Sequence, residues 1–505
     1  MKIVFCSAEV FPFSKTGGLA DVSNALPKAL EKRGHEIIIL TPLYSFIEHN
    51  FSLNQIEKEY SVLMGEKEEK FTLYETFLPN SSVKVLFVKH PYFYRETIYV
   101  NQEGKEFEDN PIRYIFLSRA IAEITEKYLP SSDILHVNDW HTALVPFILN
   151  TEHSNYPNTS KIKILFNIHN IGYQGIYDKE RVSNLGINNE YFTDDHLGFY
   201  NRINYMKGGI LYSDAIATVS KTYSKEIQTD DYGFGLQTLL KERQDQLFGI
   251  INGVDYEIWN PKTDPYIAIN YDSTTLENKK ICKEELQKEL GLEISSKPLI
   301  AVISRLDYQK GLNLLIEKFD DIMNLDIQLV LLGTGSAELE KNFKLKGGHY
   351  PKDCSIKITF DAVLSHKIEA GADMFLMPSR YEPCGLNQMY SMIYGTVPIV
   401  RNVGGLADTV MNYNSETEEG TGFSFDKFNA NEFYNAIKRA VQVYTEKEKW
   451  TRLVQKIMNI DFSWEKRAEE WEQFYLQTKE QVDQAKLSVV IDDGFEEEAI
   501  DNNEE

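Results

Sequence analysis

Short apolar runs alternate with amphipathic stretches over most of the chain, and this alternation constrains the fold more than any other feature. The first run, residues 3–6, has the composition of a buried strand. The stretch after it carries Val22, Leu26 and Leu30 at four-residue spacing, which is typical of a helix with one apolar face. A second apolar run follows at 35–40. The first forty residues therefore predict a β-α-β unit.

The same alternation continues through the first half of the chain. We expect a helix at 111–128 and a β-rich, irregular segment at 45–110. Further apolar runs predict strands at 133–137, 162–168, 215–219 and 248–251. Strands separated by helices imply a parallel sheet covered on both faces, in which ligands bind beyond the carboxyl ends of the strands. His169, Asp139 and Asn252 fall at such ends.

The pattern starts again near residue 298, which predicts a second domain of the same α/β class. Its predicted strands lie at 298–303, 327–332, 373–377 and 397–400. The phrase Gly-Gly-Leu-Ala-Asp at 404–408 repeats residues 17–21 letter for letter. Similar strand–turn–helix geometry in the two halves would select the same residues.

We therefore expect two Rossmann-like domains, residues 1–250 and residues 251–480. The charged residues 260–290 are expected to form a connector between them, and helices at about 431–480 to close the second domain. Residues 487–505 are expected to be a disordered acidic tail, because the last fourteen residues hold eight acids and no base.

Composition excludes several classes of partner. A chain of 505 residues is too long for one core, which agrees with two domains. The net charge of −23 disfavours nucleic acid and anionic membranes, and no apolar run is long enough to span a bilayer. Because the first strand follows Met1 at once, we expect no leader peptide. Four scattered cysteines fit neither disulfides nor zinc, so we expect a cytoplasmic protein.

The turn after the first strand is a candidate anion site. Gly17 and Gly18 let the backbone approach a ligand, and the following helix offers free N–H groups. Lys15 adds a full positive charge beside them. A phosphate or pyrophosphate is the expected occupant, and the alternative is an ordinary tight turn with a solvated lysine.

A second cluster follows strands of the second half. Arg305 and Lys310 are five residues apart, so both can reach one pyrophosphate. Glu382 lies at another strand end, before a backbone run at 384–386 that suits an anion or sugar hydroxyls. The alternatives are a solvated surface pair for the two cations, and a salt bridge from Glu382 to one of them.

Seven motifs in register carry a family resemblance. The motifs are Lys-Thr-Gly-Gly-Leu-Ala-Asp-Val at 15–22, Asn-Asp-Trp-His at 138–141, His-Asn-Ile-Gly-Tyr-Gln-Gly at 169–175, Ile-Asn-Gly-Val-Asp at 251–255, Ser-Arg-Leu-Asp-Tyr-Gln-Lys-Gly at 304–311, Pro-Ser-Arg-Tyr-Glu-Pro-Cys-Gly-Leu at 378–386 and Gly-Gly-Leu-Ala-Asp-Thr-Val at 404–410. On these motifs the chain resembles the bacterial glycogen synthases, which are related to plant starch synthases, over residues 1 to about 478.

The resemblance implies a retaining glucosyltransferase of the GT-B arrangement, with two Rossmann-like domains facing across a cleft. Such enzymes move glucose from ADP-glucose to the non-reducing 4-hydroxyl of an α-1,4-glucan, without a metal or another cofactor. The first domain would serve the acceptor and the second the nucleotide sugar. The closing of the cleft would exclude water from the reaction.

The resemblance also implies roles for individual residues. Arg305 and Lys310 would stabilise the departing diphosphate, and Glu382 would hold the sugar 3- and 4-hydroxyls. His169 would contact the 6-hydroxyl, and Lys15 would bind the donor phosphates or the acceptor side. Further substrate contacts are expected from Gly17, Gly18, Asp21, Asp139, Asn170, Asn252, Phe360, Cys384, Gly385 and Leu386.

Phe360 departs from the family pattern, because family members often carry tyrosine at this position. The phenylalanine keeps an aromatic face for stacking on adenine and lacks the hydroxyl. Preference for an adenine nucleotide therefore rests on the family resemblance.

Three alternatives remain open at this stage. An NAD-dependent dehydrogenase would also have Rossmann-like halves, but the Gly-x-Gly-x-x-Gly fingerprint is missing after the first strand. Another GT-B transferase would use UDP-glucose or a small acceptor. A non-catalytic glucan-binding protein would need a degraded cation cluster, whereas Lys15, Arg305, Lys310 and Glu382 are all present.

Overall fold

A computed structural model describes the backbone of residues 1–492 and the side chains of residues 1–480. The chain divides into two compact units. The first unit holds residues 1–217, 234–250 and 467 onward, and the second holds residues 218–233 and 251–466. Of the predicted acidic tail, residues 493–505 lie outside the described residues.

The strands, in chain order, are β1 (Lys2–Cys6), β2 (Glu36–Pro42), β3 (Asn54–Met64), β4 (Lys67–Phe77), β5 (Lys84–Lys89), β6 (Ile134–Asn138), β7 (Lys163–Ile168), β8 (Ile176–Asp178), β9 (Gly198–Phe199), β10 (Arg202–Asn204), β11 (Ala215–Thr218), β12 (Leu247–Gly249), β13 (Leu299–Ile303), β14 (Gln328–Leu332), β15 (Cys354–Lys357), β16 (Met374–Met377), β17 (Val397–Arg401) and β18 (Phe423–Phe425).

The α-helices are α1 (Gly18–Lys32), α2 (Ser45–Asn50), α3 (Asn110–Tyr128), α4 (Asp139–Thr142), α5 (Leu144–Thr151), α6 (Tyr205–Tyr212), α7 (Lys221–Glu226), α8 (Gln237–Glu242), α9 (Glu277–Leu290), α10 (Asn313–Glu317), α11 (Phe319–Met323), α12 (Ala337–Gly347), α13 (Ala362–Gly371), α14 (Asn387–Ile393), α15 (Gly404–Thr409), α16 (Ala430–Thr445), α17 (Lys447–Met458) and α18 (Trp464–Asp492). No helix among the described residues has the length and apolar composition needed to cross a membrane.

The first unit is built on a sheet of order β12-β11-β7-β6-β1-β2-β5-β4-β3. Strand β1 lies between β2 and β6 and pairs with both in parallel. Its apolar residues from Ile3 to Cys6 are fully buried, as the continuous apolar run predicts. The predicted β-rich segment contains β3 and β4, which pair antiparallel with each other, and β5.

The second unit is built on a sheet of order β15-β14-β13-β16-β17-β18, and all its neighbouring strands pair in parallel. This is the Rossmann strand order, in which the chain returns to the centre and then builds outward on the other side of its first strand. The predicted α/β class with two Rossmann-like sheets is confirmed.

The predicted connector at 260–290 is wrong. Helix α9 covers its last part, belongs to the second unit and packs against α13. Lys279 and Lys283 lie on the buried side of α9, and their ammonium groups reach partners inside the unit, including Asp373 at 2.7 Å from Lys283 Nζ. The charged composition predicted a linker where the structure has a packed helix, because long lysine side chains can bury their aliphatic stems.

The last helix does not simply close the second domain, as the sequence analysis expected. From Arg467 onward, α18 belongs to the first unit. There Tyr475 lies with its hydroxyl 2.8 Å from His136 Nδ1, Trp471 packs on the His136 ring, and Phe474 packs on Phe248. The units therefore differ from the predicted ranges 1–250 and 251–480 in residues 218–233 and in the end of the chain.

The core of the second unit holds a carboxyl group that is buried without a direct ion pair among the described side chains. Glu369 in α13 is 1% exposed, and Ser391 Oγ donates to its Oε2 over 2.8 Å. Burial raises the pKa of Glu369 to about 8. Nearby, burial lowers the pKa of Lys279 to about 8, while its Nζ donates to Ala370 O and Thr396 Oγ1.

We predict that Glu369→Gln stabilises the second unit increasingly as pH rises from about 5 to 8. The folded chain keeps the Glu369 proton up to about pH 8, whereas the unfolded chain releases it near pH 4.5. The wild-type protein therefore loses stability over this interval, and glutamine removes the loss. Calorimetric melting temperatures at pH 5.5, 7 and 8.5 measure the difference.

Glu448→Gln is the matched control, because the Glu448 side chain is 94% exposed. Its melting temperature should follow the wild type at all three pH values. A constant difference between Glu369→Gln and wild type would contradict the prediction.

Candidate active site

The candidate active site of the second unit lies where the strand order reverses. Strands β13 and β16 are neighbours there, and the loops that leave their carboxyl ends diverge. Residues of these loops and of the start of α14 line a cavity of about 200 Å³. Of the residues predicted from sequence, the lining includes Arg305, Lys310, Glu382, Gly385 and Leu386.

Glu382 is held by two neighbours in this cavity. Lys310 Nζ lies 2.7 Å from Glu382 Oε2, and Ser379 Oγ donates to the same oxygen over 2.9 Å. The side chains of Lys310 and Glu382 are 20% and 6% exposed. The salt bridge that the sequence analysis left open is therefore present, and because a buried carboxylate is costly without a partner, Lys310 fixes Glu382 as well as charging the cavity.

Asp307 ties the two predicted cations to one turn. Its Oδ2 lies 3.1 Å from Arg305 Nη1, and its Oδ1 accepts the backbone N–H of Lys310 over 3.1 Å. The Arg305 side chain is 59% exposed, so its guanidinium stands at the open side of the turn. Arg305 and Lys310 are thus presented together, as their spacing predicted.

The second Gly-Gly pair packs against the segment that carries Glu382. A Cβ added to Gly404 would lie 2.0 Å from the Glu382 carbonyl oxygen, and one added to Gly405 would lie 2.0 Å from that of Cys384. The Gly405 N–H donates to Glu382 O over 3.1 Å. The Gly404 N–H faces both carboxylate oxygens of Glu226 at 3.1 Å.

Gln388 orients the backbone loop that follows Glu382. It is fully buried in α14, and its Nε2 donates to the carbonyl oxygens of Cys384 and Gly385, each over 3.1 Å. Because the N–H and C=O of a trans peptide point in opposite directions, the N–H groups of Gly385 and Leu386 face away from Gln388. Gly385 has a positive φ of 70°, which glycine adopts without strain.

In the first unit, a carboxylate of the chain itself accepts two N–H groups of the glycine turn at which a phosphate was predicted. Glu9 accepts the backbone N–H groups of Thr16 and Gly17, the latter over 3.0 Å. It also accepts the hydroxyls of Thr16 and, over 2.7 Å, Tyr99. This contact was not predicted, because the reversal of the chain that brings Glu9 to the turn has no local sequence signature.

Lys15 and Asp21, both predicted to bind substrate, pair with each other. Lys15 Nζ lies 2.7 Å from Asp21 Oδ1, and the Lys15 side chain is 46% exposed. Its ammonium also lies 5.4 Å from the centroid of the Phe11 ring. Gly17 and Gly18 beside them are exposed.

Asp139 holds the backbone at His169. It follows β6 with a positive φ of 54°, a conformation that is uncommon outside glycine and is often found at functional sites. Its Oδ1 accepts the N–H groups of His169 over 2.8 Å and Asn170 over 3.4 Å. Burial raises the pKa of Asp139 to about 7 and lowers the pKa of His169 to about 3, so the imidazole is neutral at pH 7.

Asn252 and Phe360 stand apart from the cavity of the second unit, whose described lining includes neither. Asn252 is buried, and its Oδ1 has no hydrogen-bond partner in the described part of the chain. Phe360 follows β15 and is 89% exposed. Cys384 is buried beside the cavity loop.

Sequence reasoning missed Ser379, Asp307, Gln388 and Glu9. Ser379 and Asp307 lie within the quoted motifs. Their closeness in sequence was therefore a signal that Ser379 could contact Glu382 and that Asp307 could contact Arg305. Gln388 lies two residues beyond its motif, and a glutamine inside a short apolar helix was the available signal.

Comparisons with known proteins agree with this architecture. The starch synthase catalytic domain model matches residues 2–242, and the glycosyl transferases group 1 model matches residues 283–456. Glycogen synthases of Thermotoga petrophila and Fervidobacterium nodosum are 44% and 45% identical, over 94% and 95% of this chain and 98% and 100% of theirs.

Solved structures give the same picture. The catalytic domain of starch synthase IV from Arabidopsis thaliana, bound to ADP and acarbose, is 32% identical with a TM-score of 0.86. The match covers 95% of this chain and 99% of that one. Sucrose-phosphate synthase from Thermosynechococcus elongatus shares the fold, with a TM-score of 0.57 and 18% sequence identity. That match covers 94% of this chain and 98% of the synthase.

An added methyl group should destabilise the second copy of Gly-Gly-Leu-Ala-Asp much more than the first. Gly405→Ala places a Cβ 2.0 Å from Cys384 O, so the loop after Glu382 must shift. Gly17→Ala meets nothing within 4 Å, and the φ of Gly17, −151°, suits any residue. We expect Gly405→Ala to cost about 1–3 kcal/mol and Gly17→Ala less than about 0.5 kcal/mol.

Calorimetric melting temperatures of the two variants and the wild type measure these costs. Equal melting temperatures for Gly405→Ala and Gly17→Ala would contradict the close packing described for the second copy.

Proposed function

Because this chain belongs to the glycogen synthase family, we propose that it is a retaining glucosyltransferase that moves glucose from ADP-glucose to the non-reducing 4-hydroxyl of an α-1,4-glucan. The family resemblance inferred from the seven motifs is confirmed by relatives that match almost the whole chain. The product is a longer glucan, as in glycogen or starch elongation.

The cavity between the loops of β13 and β16 is the observation that carries this proposal. It brings two cations, one buried carboxylate and a glycine-containing backbone loop to a single place. Breaking the bond between glucose and diphosphate leaves negative charge on the nucleotide. Arg305 and Lys310 are positioned to stabilise that charge as it develops, which is where electrostatic catalysis is most effective.

The glucose would lie beside Glu382. The carboxylate accepts hydrogen bonds, so it suits the 3- and 4-hydroxyls of a sugar, and Ser379 keeps it oriented. The N–H groups of Gly385 and Leu386 would face phosphate or sugar oxygens. Cys384 contributes through its backbone, because its side chain is buried.

The first unit would supply the remaining contacts. Neutral His169 can exchange a hydrogen bond with the glucose 6-hydroxyl, and its backbone, fixed by Asp139, can steady the ring cation. Lys15, with Asp21, the exposed backbone at Gly18 and the half-buried Asn170, would bind the donor phosphates or the acceptor. Gly17 would contribute by shape, because its N–H is engaged by Glu9. We also propose that Asn252 contacts substrate and that Phe360 stacks on adenine.

We propose that the anomeric configuration is retained through attack from the front face. A double displacement needs a carboxylate nucleophile opposite the leaving group, whereas Glu382 is engaged by Lys310 and Ser379. The leaving phosphate oxygen would instead accept the proton of the acceptor hydroxyl. Trapping of a glucosyl ester on any Asp or Glu would contradict this route.

We further propose a cytoplasmic location. The four cysteines are free and buried, which suits a reducing compartment.

Transfer of radiolabelled glucose tests the function. The protein should transfer glucose from ADP-glucose to glycogen, and more efficiently than from UDP-glucose. Arg305→Ala should lower kcat about 100- to 1,000-fold, because it removes a charge that acts on the leaving group. Transfer of hydride to nicotinamide cofactors, or no transfer from either sugar nucleotide, would contradict the proposal.

Arg452→Ala is the control for Arg305→Ala. Both arginines are in the second unit with similarly exposed side chains, 52% for Arg452, and Arg452 pairs with Glu418. Near-normal turnover in Arg305→Ala, or an equal loss in Arg452→Ala, would contradict the role given to Arg305.

Gln388→Leu should lower kcat/KM for ADP-glucose about tenfold to a hundredfold. The carbonyl oxygens of Cys384 and Gly385 lose the hydrogen bonds from Gln388 Nε2 that orient their peptide groups. Steady-state kinetics and calorimetric ADP binding measure the effect.

Gln287→Leu separates this role from general destabilisation. Gln287 is equally buried in the second unit and also donates its amide, to Ser295 O. Its variant should lose stability and keep kcat/KM per folded molecule. Equal kinetic losses in the two variants would show that Gln388 has only a structural role.

A further inference from the structure

Two aromatic residues of the first unit occupy left-handed backbone conformations. Tyr200 (φ 48°) and Asn201 (φ 63°) form the two-residue turn between β9 and β10. Phe234 (φ 49°) precedes Gly235 (φ 88°) in a second turn. Aromatic residues are strained in this region, which asparagine and glycine favour. Burial does not offset the strain, because Tyr200 is 77% and Phe234 43% exposed.

The two turns are packed together. A Cβ added to Gly235 would lie 2.7 Å from the Phe199 ring and 3.2 Å from the Tyr200 ring. The rings of Phe199 and Tyr200 meet edge to face, with centroids 4.7 Å apart. The turns that carry Tyr200 and Phe234 therefore lie side by side on one surface.

Gln174 fixes this surface to the loop at 169–175. It is buried, and its Nε2 donates to Phe234 O over 3.1 Å and to Ile171 O over 2.9 Å. Its Oε1 accepts Asn204 Nδ2 over 2.6 Å. The neighbouring residue, Tyr173, is 53% exposed. We call Tyr173, Tyr200 and Phe234 the aromatic platform.

The same loop begins at His169, whose backbone N–H is held by Asp139. Gln174 is five positions after His169, so this stretch extends at most about 18 Å. An oligosaccharide of several glucose units is therefore long enough to contact both His169 and the platform.

We propose that the aromatic platform binds the α-glucan acceptor, several sugar units away from the residue that is extended. The apolar C–H faces of glucose rings pack on aromatic rings, and uncharged amide groups can form hydrogen bonds with the hydroxyls of the sugar. The three side chains of the platform are themselves uncharged, as suits a neutral glucan. This inference rests on the proposed function, and it predicts that the enzyme prefers long glucan acceptors to short ones.

The double variant Tyr200→Asn/Phe234→Asn tests it. Asparagine tolerates the left-handed backbone, so the turns should persist while the rings are lost. With ADP-glucose as donor, KM for maltoheptaose and glycogen should rise about tenfold. KM for maltose, KM for ADP-glucose and kcat should stay within twofold, and migration through glycogen-containing native gels should be retarded less than for the wild type.

Tyr200→Phe keeps the ring and should behave as the wild type, and Tyr128→Asn controls for loss of an exposed tyrosine elsewhere in the unit. An active wild type with unchanged KM for maltoheptaose in the double variant would overturn the inference. An equal rise in KM for maltose and maltoheptaose would also overturn it. A wild type that transfers glucose to no acceptor would instead overturn the proposed function.

Discussion

The reversal of strand order is the constraint on which both candidate sites depend. In the second unit, β13 lies between β14 and β16, so the loops after β13 and β16 diverge and leave a cavity between them. The contact between Lys310 and Glu382 joins the two loops across it. In the first unit, β1 lies between β2 and β6, and the residues that organise the backbone, Glu9 and Asp139, follow β1 and β6. The order of the strands thus determines where charged side chains can lie close together, and the sequences of the loops determine the sign of their charge.

The repeated Gly-Gly-Leu-Ala-Asp shows how one phrase serves two physical purposes. At 404–408 the glycines permit contact between backbones, and the N–H of Gly404 is satisfied by Glu226. At 17–21 the first glycine has open space beside it, and its N–H is satisfied by Glu9. The aspartates differ as well, since Asp21 pairs with Lys15 whereas Asp408 accepts the hydroxyls of Ser220 and Thr222. In both copies a carboxylate of the same chain accepts the N–H of the first glycine, Glu9 at Gly17 and Glu226 at Gly404.

The sequence predicted the sheets well because buried parallel strands are continuous apolar runs, as at β13 and β14. It failed where burial involves polar side chains or distant partners. Helix α9 has lysines on its buried side. The aromatic residues of α18 predict that this helix is buried, but they do not indicate in which unit it packs. The site followed the same rule. Strand-end residues such as Arg305 and Glu382 were predictable from position, whereas the contact of Ser379 with Glu382 depends on side-chain geometry.

The Lys310–Glu382 contact also couples the two halves of the proposed reaction. An ammonium group beside both a carboxylate and a diphosphate must divide its hydrogen bonds between them. In the proposed reaction, as negative charge grew on the diphosphate, Lys310 would be drawn toward it, and an oxygen of Glu382 would become freer to accept hydrogen bonds from sugar hydroxyls. Ser379 holds the carboxylate in place meanwhile, so the change requires no movement of the loop. Glu382 would then bind the sugar most strongly when the leaving group carries most charge, which is the differential binding that a catalyst needs.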